Sequence, residues 1–361
     1  MSSKQLILSV CSFGILLMSY AQDNTPKYSN EFLSLGVGAK AFAMGGAQSA
    51  IVSDVSASYW NPAGLLQVES NQQLMLMHAV YFDGIANYDF GAMAFSLPDS
   101  SRLAFSLIRF SIDDIPDTRY LFDANGAINY DNISFFAASD YAGWISYAKR
   151  LERLGGVDLG ANIKVIHRLV GSFSQAWGFG LDLGAQKKIR RWGLGLTARD
   201  VFGTFNAWSH NPEEFRDVFQ QTGNVVPVNS IEITLPTWVL GVSRVFPLTS
   251  AFDLLVTADF RTTFDGKRNA LFRTNLVSVE PVVGMEVAYK QQFLLRLGTG
   301  QFQQVEQLDG SLNWNTMFGG GLGVRLSDFT LDYALTDFSI NEVGLYTHVF
   351  SVKIDFHEKA N

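Results

Sequence analysis

Long stretches of this chain alternate between apolar and polar residues, and this alternation constrains the fold more than any other feature. In 251–261 every second residue is apolar, namely Phe252, Leu254, Val256, Ala258 and Phe260. The residues between them include Asp253, Thr257, Asp259 and Arg261. A period of two is typical of a β-strand that has one apolar and one polar face. We therefore expect a chain built mainly of two-faced strands.

Fourteen segments follow this pattern, and most of them contain 10–15 residues. Strands in soluble sheets average about 5–6 residues, whereas strands that cross a membrane need about 9–11. The pattern predicts an all-β fold, a 14-stranded antiparallel transmembrane β-barrel over residues 71–357, with its apolar face toward lipid. The predicted strands are 72–82, 85–97, 101–112, 140–150, 155–168, 174–188, 191–201, 233–246, 251–262, 277–289, 292–303, 314–325, 328–337 and 343–356.

The connections between the predicted strands give independent support. Turns after even-numbered strands are short, as at 190–191 and 290–291, whereas several connections after odd-numbered strands are long, above all 113–139 and 202–232. Outer-membrane barrels show the same asymmetry, with short periplasmic turns and longer external loops. A secreted β-sandwich also alternates, but its strands would usually be shorter. The pattern therefore favours the outer membrane of a Gram-negative bacterium.

Residues 1–21 have the features of a secretory signal peptide. Lys4 supplies a positive charge, 6–18 is apolar, and 19–21 forms a small-x-small cleavage site. An uncleaved membrane anchor is the alternative.

The only cysteine, Cys11, lies within the signal, so the mature chain could form no disulfide, cysteine nucleophile or cysteine metal site. The net charge of −7 argues against a nucleic-acid partner.

None of the motifs that suggest catalysis, a cofactor or a metal site has the full pattern that such a site requires. The G-x-G-x-x-A string at 36–41 imitates a dinucleotide fingerprint, but no apolar strand precedes it. The acidic loop 113–131 offers oxygen ligands for calcium, yet its spacing does not fit an EF-hand. The five histidines are scattered, and there is no G-x-S-x-G elbow. A Ser/His/Asp site could still assemble across strands. We expect a non-enzyme with no cofactor and no metal.

The long predicted external loops are rich in aromatic residues. Within one of them, residues 211–214 (Asn-Pro-Glu-Glu) resemble the start of a short helix. So much apolar surface in a loop indicates that it either folds over the barrel mouth or contacts a partner protein. The candidate partner-binding residues are Tyr120, Phe122, Phe205, Trp208, Phe215 and Phe219.

Residues 32–65, FLSLGVGAKAFAMGGAQSAIVSDVSASYWNPAGL, resemble the N-terminal motif of the PorV/PorQ family of Bacteroidetes outer-membrane proteins. This family belongs to a wider group of barrels that resemble FadL, the long-chain fatty-acid transporter. The resemblance implies a 14-stranded barrel whose residues 22–70 fold into the lumen as a plug. The matching residues assigned to that plug are Gly38, Met44, Gly45, Gly46, Asp54, Tyr59, Trp60, Asn61, Pro62 and Ala63. The branch of the family is left open.

Two functions remain open. The first is a non-enzymatic scaffold of the PorV/PorQ type, working with outer-membrane protein machinery, above all type IX secretion, as a cargo shuttle or attachment-complex anchor. Its partners would be other proteins of an outer-membrane complex, besides outer-membrane lipid and lipopolysaccharide. The second is a FadL-like channel for hydrophobic small molecules, with an apolar pocket behind the plug and a lateral opening in the wall. Polar residues expected to face the lumen favour the first, namely Asp158, Asn162, Lys164, Asp182, Glu286 and Lys290.

Overall fold

Fourteen antiparallel strands form a closed barrel in this computed structural model, which confirms the predicted fold class. The structure describes residues 28–81, 84–123, 125–214, 216, 225, 228–307, 310–339 and 346–357, so the predicted signal, 1–21, lies outside the described residues. The strands are β1 (Gln72–Tyr81), β2 (Ala86–Ser96), β3 (Arg102–Asp117), β4 (Ser134–Leu151), β5 (Val157–Val170), β6 (Ser174–Ile189), β7 (two segments, Trp192–Arg199 and Thr204–His210), β8 (two segments, Ser230–Thr234 and Thr237–Pro247), β9 (Phe252–Thr263), β10 (Ser278–Tyr289), β11 (Phe293–Glu306), β12 (Leu312–Leu326), β13 (Phe329–Ser339) and β14 (Thr347–Phe356). The barrel closes because β1 pairs with both β2 and β14.

The predicted alternation separates the two faces of this wall. In β9, Phe252 and Phe260 are exposed on the outside, whereas Thr257 and Asp259 are buried on the inside. In β10, Met285 is exposed on the outer face. The outer surface is therefore apolar, as a lipid-facing wall requires, and the lumen is lined by polar side chains.

The two ends of the barrel differ in the length of their connections. Short turns join β2 to β3, β6 to β7 and β10 to β11, and the longer connections lie at the opposite end. By the rule for outer-membrane barrels, the short turns mark the periplasmic end. Lys290 was expected to face the lumen, and this was wrong. The chain turns there with positive φ at Lys290 and Gln291, which leaves Lys290 exposed in the turn.

Several strand ends at the external side were also predicted wrongly. β3 continues to Asp117 and β4 begins at Ser134, so the loop predicted at 113–139 is shorter. Part of the loop predicted at 202–232 forms the second segment of β7, Thr204–His210, and the first segment of β8, Ser230–Thr234, and these two segments pair with each other. Backbone N–H and C=O groups gain partners when neighbouring strands extend together, so the ladder continues above the predicted ends.

Residues 28–70, called here the N-terminal segment, contact the inner face of the wall on several sides. Ser49 N–H donates to Asp259 of β9, Ala39 N–H to the Ser351 hydroxyl of β14, and the Asn61 amide to the carbonyl of Ala185 of β6. The segment contains two short α-helices, α1 (Ala39–Ala43) and α2 (Ala57–Trp60), and two 3-10 turns (Glu31–Leu33 and Pro62–Gln67). Among the described residues, no helix has the length and apolarity needed to span a membrane.

Candidate functional site

Inward-facing glycines of the wall let the backbone of the N-terminal segment lie directly against the strands. A Cβ added at Gly195 of β7 would lie 2.0 Å from the carbonyl oxygen of Ser49. A Cβ at Gly298 of β11 would lie 2.1 Å from the carbonyl carbon of Met44. Both distances are far below a van der Waals contact. In each case the added Cβ would clash with a backbone atom of the segment, which cannot move away by a change of side-chain rotamer. Glycine at these positions is therefore a condition for the observed placement of the segment.

Tyr59 and Trp60 pack the two halves of the segment together. The Trp60 indole N–H donates to the Val37 carbonyl at 2.9 Å, and the Tyr59 hydroxyl donates to the Leu33 carbonyl. Their rings meet edge to face at 4.9 Å, and Tyr59 also meets Trp144 of β4 at 6.0 Å. The pair thus joins the start of the segment, its end and the barrel wall.

Asn61 and Pro62 turn the chain out of α2 toward β1. The Asn61 side chain accepts a hydrogen bond from Ala63 N–H at 3.2 Å and donates to the Ser49 carbonyl at 2.9 Å. Pro62 begins the following 3-10 turn, where its fixed φ suits a first helical position and its missing N–H is not needed. The Asn-Pro-Ala string therefore forms a bend, and the Asn61 side chain bonds this bend to Ser49 in the middle of the segment.

An ion pair anchors the segment on the other side of the lumen. Asp54 lies 3.0 Å from Lys353 Nζ of β14 and also accepts from the Ser56 hydroxyl. Burial alone would raise the pKa of Asp54, but Lys353 and Lys40 outweigh it and hold that pKa well below its usual range. Burial lowers the pKa of Lys40, and Glu286 offsets this only partly. The charged form of Asp54 is therefore favoured by the docked segment.

The depressed pKa of Asp54 predicts that docking of the segment weakens in acid. A carboxylate with a lowered pKa stabilises the docked state above its ordinary pKa, near 4, and this contribution is lost as the pH falls through the lowered value. Hydrogen exchange of residues 50–60, corrected for intrinsic rates, should show less protection at pH about 3 than at pH about 7. An Asp54→Asn variant should lose protection at neutral pH and change less with acid. An equal pH response in the variant would contradict the assignment, and Asp99→Asn, in an exposed turn, is the control.

A cavity of about 340 Å³ lies beside the start of the segment and is lined by the outer halves of several strands. We call it the vestibule. Its charged lining residues are Lys164, Arg199, Arg261, Arg268, Glu31, Asp182, Asp200 and Glu280. Tyr59, Trp144 and Leu33 add apolar surface. The vestibule can therefore offer both hydrogen bonds and ring contacts to a small molecule.

Arg199 differs from the other cations of the vestibule. Lys164 bonds two carboxylates, and Arg261 and Arg268 each have a carboxylate within 4 Å. No described carboxylate lies within salt-bridge distance of Arg199, whose Nε is buried without a partner and whose Nη2 donates only to the Tyr59 carbonyl, at 3.3 Å. Its guanidinium lies 4.6 Å from the centre of the Tyr59 ring. Arg199 is thus the cation best placed for an anionic group of a ligand.

A second cavity, of about 110 Å³, adjoins the vestibule. Both are lined by Ser34, Arg261, Glu280 and Gln301. The rest of the smaller cavity is largely apolar, with Leu35, Phe42, Trp60, Tyr81, Val282 and Phe318. The lining therefore becomes richer in apolar side chains from the vestibule to the second cavity.

The wall beside the vestibule is irregular where β7 is interrupted between Arg199 and Thr204. Lys164 of β5 closes this break from the inside by bonding Asp182 of β6 and Asp200, and Thr204 donates to Asp200. The Lys164 side chain is only 4% exposed. The polar residues predicted to face the lumen are thus paired with one another at this point.

The structure places the predicted external aromatic residues in different surroundings. Tyr120 and Phe122 lie exposed in the connection between β3 and β4. Phe205 and Trp208 lie in a strand and not in a loop as predicted. Phe205 is exposed on the outer face, whereas the Trp208 indole N–H donates to Glu232 at 2.9 Å and its ring packs against the Arg168 guanidinium.

Phe215 and Phe219 fall outside the described residues. The predicted helix start is present, since residues 212–214 are helical. Among the described residues, no group of three His, Cys, Asp or Glu side chains could hold a metal ion.

The sequence analysis did not predict the glycine contacts of the wall or the Arg199 site. The glycine contacts could have been predicted, because Gly193 and Gly195 recur at the inward positions of a two-residue period. The isolation of Arg199 depends on which strands are neighbours, so no local pattern could reveal it.

The closed fourteen-stranded wall, with short turns at one end and an apolar outer face, has the fold of FadL-type outer-membrane barrels of Gram-negative bacteria. No protein-family model matches the chain, and no curated protein matches its sequence.

Solved structures with this fold are similar over nearly their whole length. The CymD monoaromatic hydrocarbon channel has a TM-score of 0.58 and 13% identity, covering 90% of this chain and 99% of that one. The Pseudomonas putida toluene transporter TodX has a TM-score of 0.58 and 14% identity, with 89% and 98% covered. A Pseudomonas aeruginosa FadL homologue has a TM-score of 0.52 and 13% identity, with 89% and 98% covered. At such identities the likeness establishes the fold alone.

Proposed function

We propose that this protein is an outer-membrane channel for small molecules that combine an apolar body with a polar group, and that residues 28–70 are its plug. The observation that carries this proposal is the pair of adjoining cavities along the segment, a larger one lined by many charged side chains and a smaller one in which Arg261 and Glu280 face mainly apolar side chains. A molecule with one polar and one apolar end could be held by both at once. The similarity in fold to CymD, a monoaromatic hydrocarbon channel, and to TodX, a toluene transporter, supports a channel role by analogy.

The cavity sizes suggest a small ligand. Ligand pockets usually measure about 300–1,000 Å³, so the vestibule is at the lower end of that range. The second cavity is comparable with an engineered apolar cavity of about 150 Å³ that binds benzene. A single aromatic ring with a polar substituent fits these dimensions better than a long acyl chain.

The break in β7 is the place where we propose that a lateral opening forms. Lys164, Asp182 and Asp200 close the wall there, directly beside the vestibule. Separation of these groups, together with loss of the hydrogen bond from Val201 N–H to the Leu181 carbonyl across the break, would join the vestibule to the outer surface of the barrel. Displacement of the N-terminal segment would instead open the path toward the periplasm.

Uptake into proteoliposomes tests the channel and its preference. We expect toluene and benzoate to enter faster than into protein-free vesicles, and glucose not to. Arg199→Gln should lower benzoate uptake about tenfold, because a charge-assisted hydrogen bond is worth about 1.5–3 kcal/mol, and should leave toluene uptake unchanged. Rates equal to those of protein-free vesicles would refute the channel, whereas equal losses for both compounds would refute the role of Arg199.

A protein-binding role of the PorV/PorQ type is the second candidate. It is favoured by the exposed aromatic residues around the external end of β3 and β4, where Tyr120, Phe122, Tyr130 and Phe135 are each more than half exposed. Copurification from native membranes, followed by mass spectrometry, would test it with wild type and with a Tyr120→Ser/Phe122→Ser variant. A partner retained by the wild type and lost by the variant would support this role. Recovery of the barrel alone from both would reject it.

A further inference from the structure

Three side chains that can carry charge lie together on the outer face of the wall. His78 of β1, Asp89 of β2 and Arg109 of β3 are direct neighbours in register. His78 Nδ1 lies 2.7 Å from Asp89 Oδ1, and Arg109 Nη1 lies 3.7 Å from Asp89 Oδ2. All three side chains are between 41% and 51% exposed. We call this group the outer-wall triad.

The triad lies directly beside lipid-facing apolar residues. Leu76, two positions before His78, and Leu107, two positions before Arg109, are about half exposed on the same face. Charged groups on the lipid face of a barrel are costly and usually have a functional partner. Arg109 donates no hydrogen bond to any residue in the described part of the chain, because its distance to Asp89 exceeds hydrogen-bond range. Its guanidinium, which is paired with Asp89 only at ion-pair distance, therefore has N–H groups left for an acceptor outside the protein.

The height of the wall indicates where that acceptor comes from. β1 and β2 have only 10 and 11 residues and are still paired at Tyr81 and Ala86, next to their external connection, whereas the neighbouring β3 has 16 residues and β4 has 18. His78 is three residues before the end of β1, or about 10 Å along the strand. The triad thus lies just below a low external rim, and a long arginine side chain can reach from there toward the lipid head groups.

We propose that the outer-wall triad binds a phosphate group of lipopolysaccharide in the outer leaflet. A guanidinium offers paired N–H donors that match two phosphate oxygens. In its imidazolium form His78 donates from Nδ1 to Asp89, and its Nε2–H can then donate to a second phosphate oxygen. The lipid would complete the coordination of Arg109 and fix the protein's depth in the outer leaflet. This proposal does not depend on whether the lumen conducts a solute.

Native mass spectrometry of the full-length barrel, extracted from lipopolysaccharide-containing membranes, tests the proposal. The comparison uses wild type, His78→Gln/Arg109→Gln, and Arg244→Gln as a matched control. Arg244 also lies on the outer face, but near the periplasmic end, 4.8 Å from the Trp192 ring. Wild type and control should retain lipopolysaccharide after detergent washing, and the double variant should retain about tenfold less, since charge-assisted hydrogen bonds are lost.

A second measurement uses the wild type alone and decides the matter if the double variant does not fold. Lipid A added to delipidated protein should raise its melting temperature, and dephosphorylated lipid A should raise it much less. Equal stabilisation by both lipids would overturn the proposal, as would equal retention of lipopolysaccharide by all three proteins. A protein found crosslinked to this wall in place of lipid would overturn it too.

Discussion

Replacing Gly195 and Gly298 together by alanine is expected to displace the N-terminal segment and make the barrel leaky. The added Cβ atoms would lie 2.0 and 2.1 Å from backbone atoms of Ser49 and Met44, and neither strand nor segment can yield by a rotamer change. Such overpacking costs about 1–3 kcal/mol per site. Since about 1.4 kcal/mol is a factor of ten, the ratio of docked to undocked segment should fall at least roughly tenfold.

Single-channel recording in planar bilayers would measure this effect as more frequent opening events. Gly91→Ala with Gly320→Ala is the matched control, because the nearest atom to an added Cβ there is a leucine methyl, of Leu76 or Leu297, at an ordinary contact distance of 3.5 Å. Both proteins should keep the heat-modifiable gel migration of a folded barrel. If the Gly195/Gly298 variant opens no more often than the control, the docking of the segment does not depend on these close contacts.

Replacing Lys164 by methionine is expected to destabilise the barrel severely. Lys164 bonds Asp182 and Asp200 at the break in β7, and its removal leaves two buried carboxylates without their cation. Loss of one partner of a buried ion pair costs about 3–5 kcal/mol. The urea concentration at the midpoint of unfolding, followed by gel migration in lipid, should fall accordingly.

The chain offers both a control and a rescue for this variant. Lys149→Met breaks a pair with Asp99 in which both side chains are about half exposed, so it should cost no more than about 1 kcal/mol. Lys164→Met combined with Asp182→Asn and Asp200→Asn removes the unpaired charges and should recover much of the loss. Equal effects of Lys164→Met and Lys149→Met would mean that the cluster does not hold the wall closed.

The strands could be predicted because their signal is local. An alternation such as that of 251–261 predicts which side chains share a face, and this prediction does not depend on which strand lies beside it. The external ends of β3, β4, β7 and β8 could not be placed in this way. There the strands continue because two neighbours extend together, and that pairing is a property of the tertiary structure.

The lumen was predicted only in part. Asp158, Asn162, Lys164 and Asp182 are buried inside the wall as expected. In the sequence their polarity argues mildly against a greasy lumen, but many of these polar groups bond one another or the N-terminal segment: Lys164 bonds Asp182, and Asn162 donates to the carbonyl of Ser58. Inward polarity therefore says little about what the cavities can bind. Which residues pair with these polar side chains depends on the register between neighbouring strands, and the sequence alone does not reveal that register.

A disulfide lock between the N-terminal segment and the wall tests the plug most directly. The hydroxyl oxygens of Ser49 and Thr197 are 3.2 Å apart, and the only native cysteine is Cys11 in the predicted signal. Ser49→Cys/Thr197→Cys would therefore tie the segment to β7 through a single disulfide. Uptake of benzoate into proteoliposomes should be blocked when the pair is oxidised and restored by reduction, while either single variant should be indifferent to redox conditions. Equal uptake by the oxidised and reduced double variant would contradict the proposal that the segment is the plug.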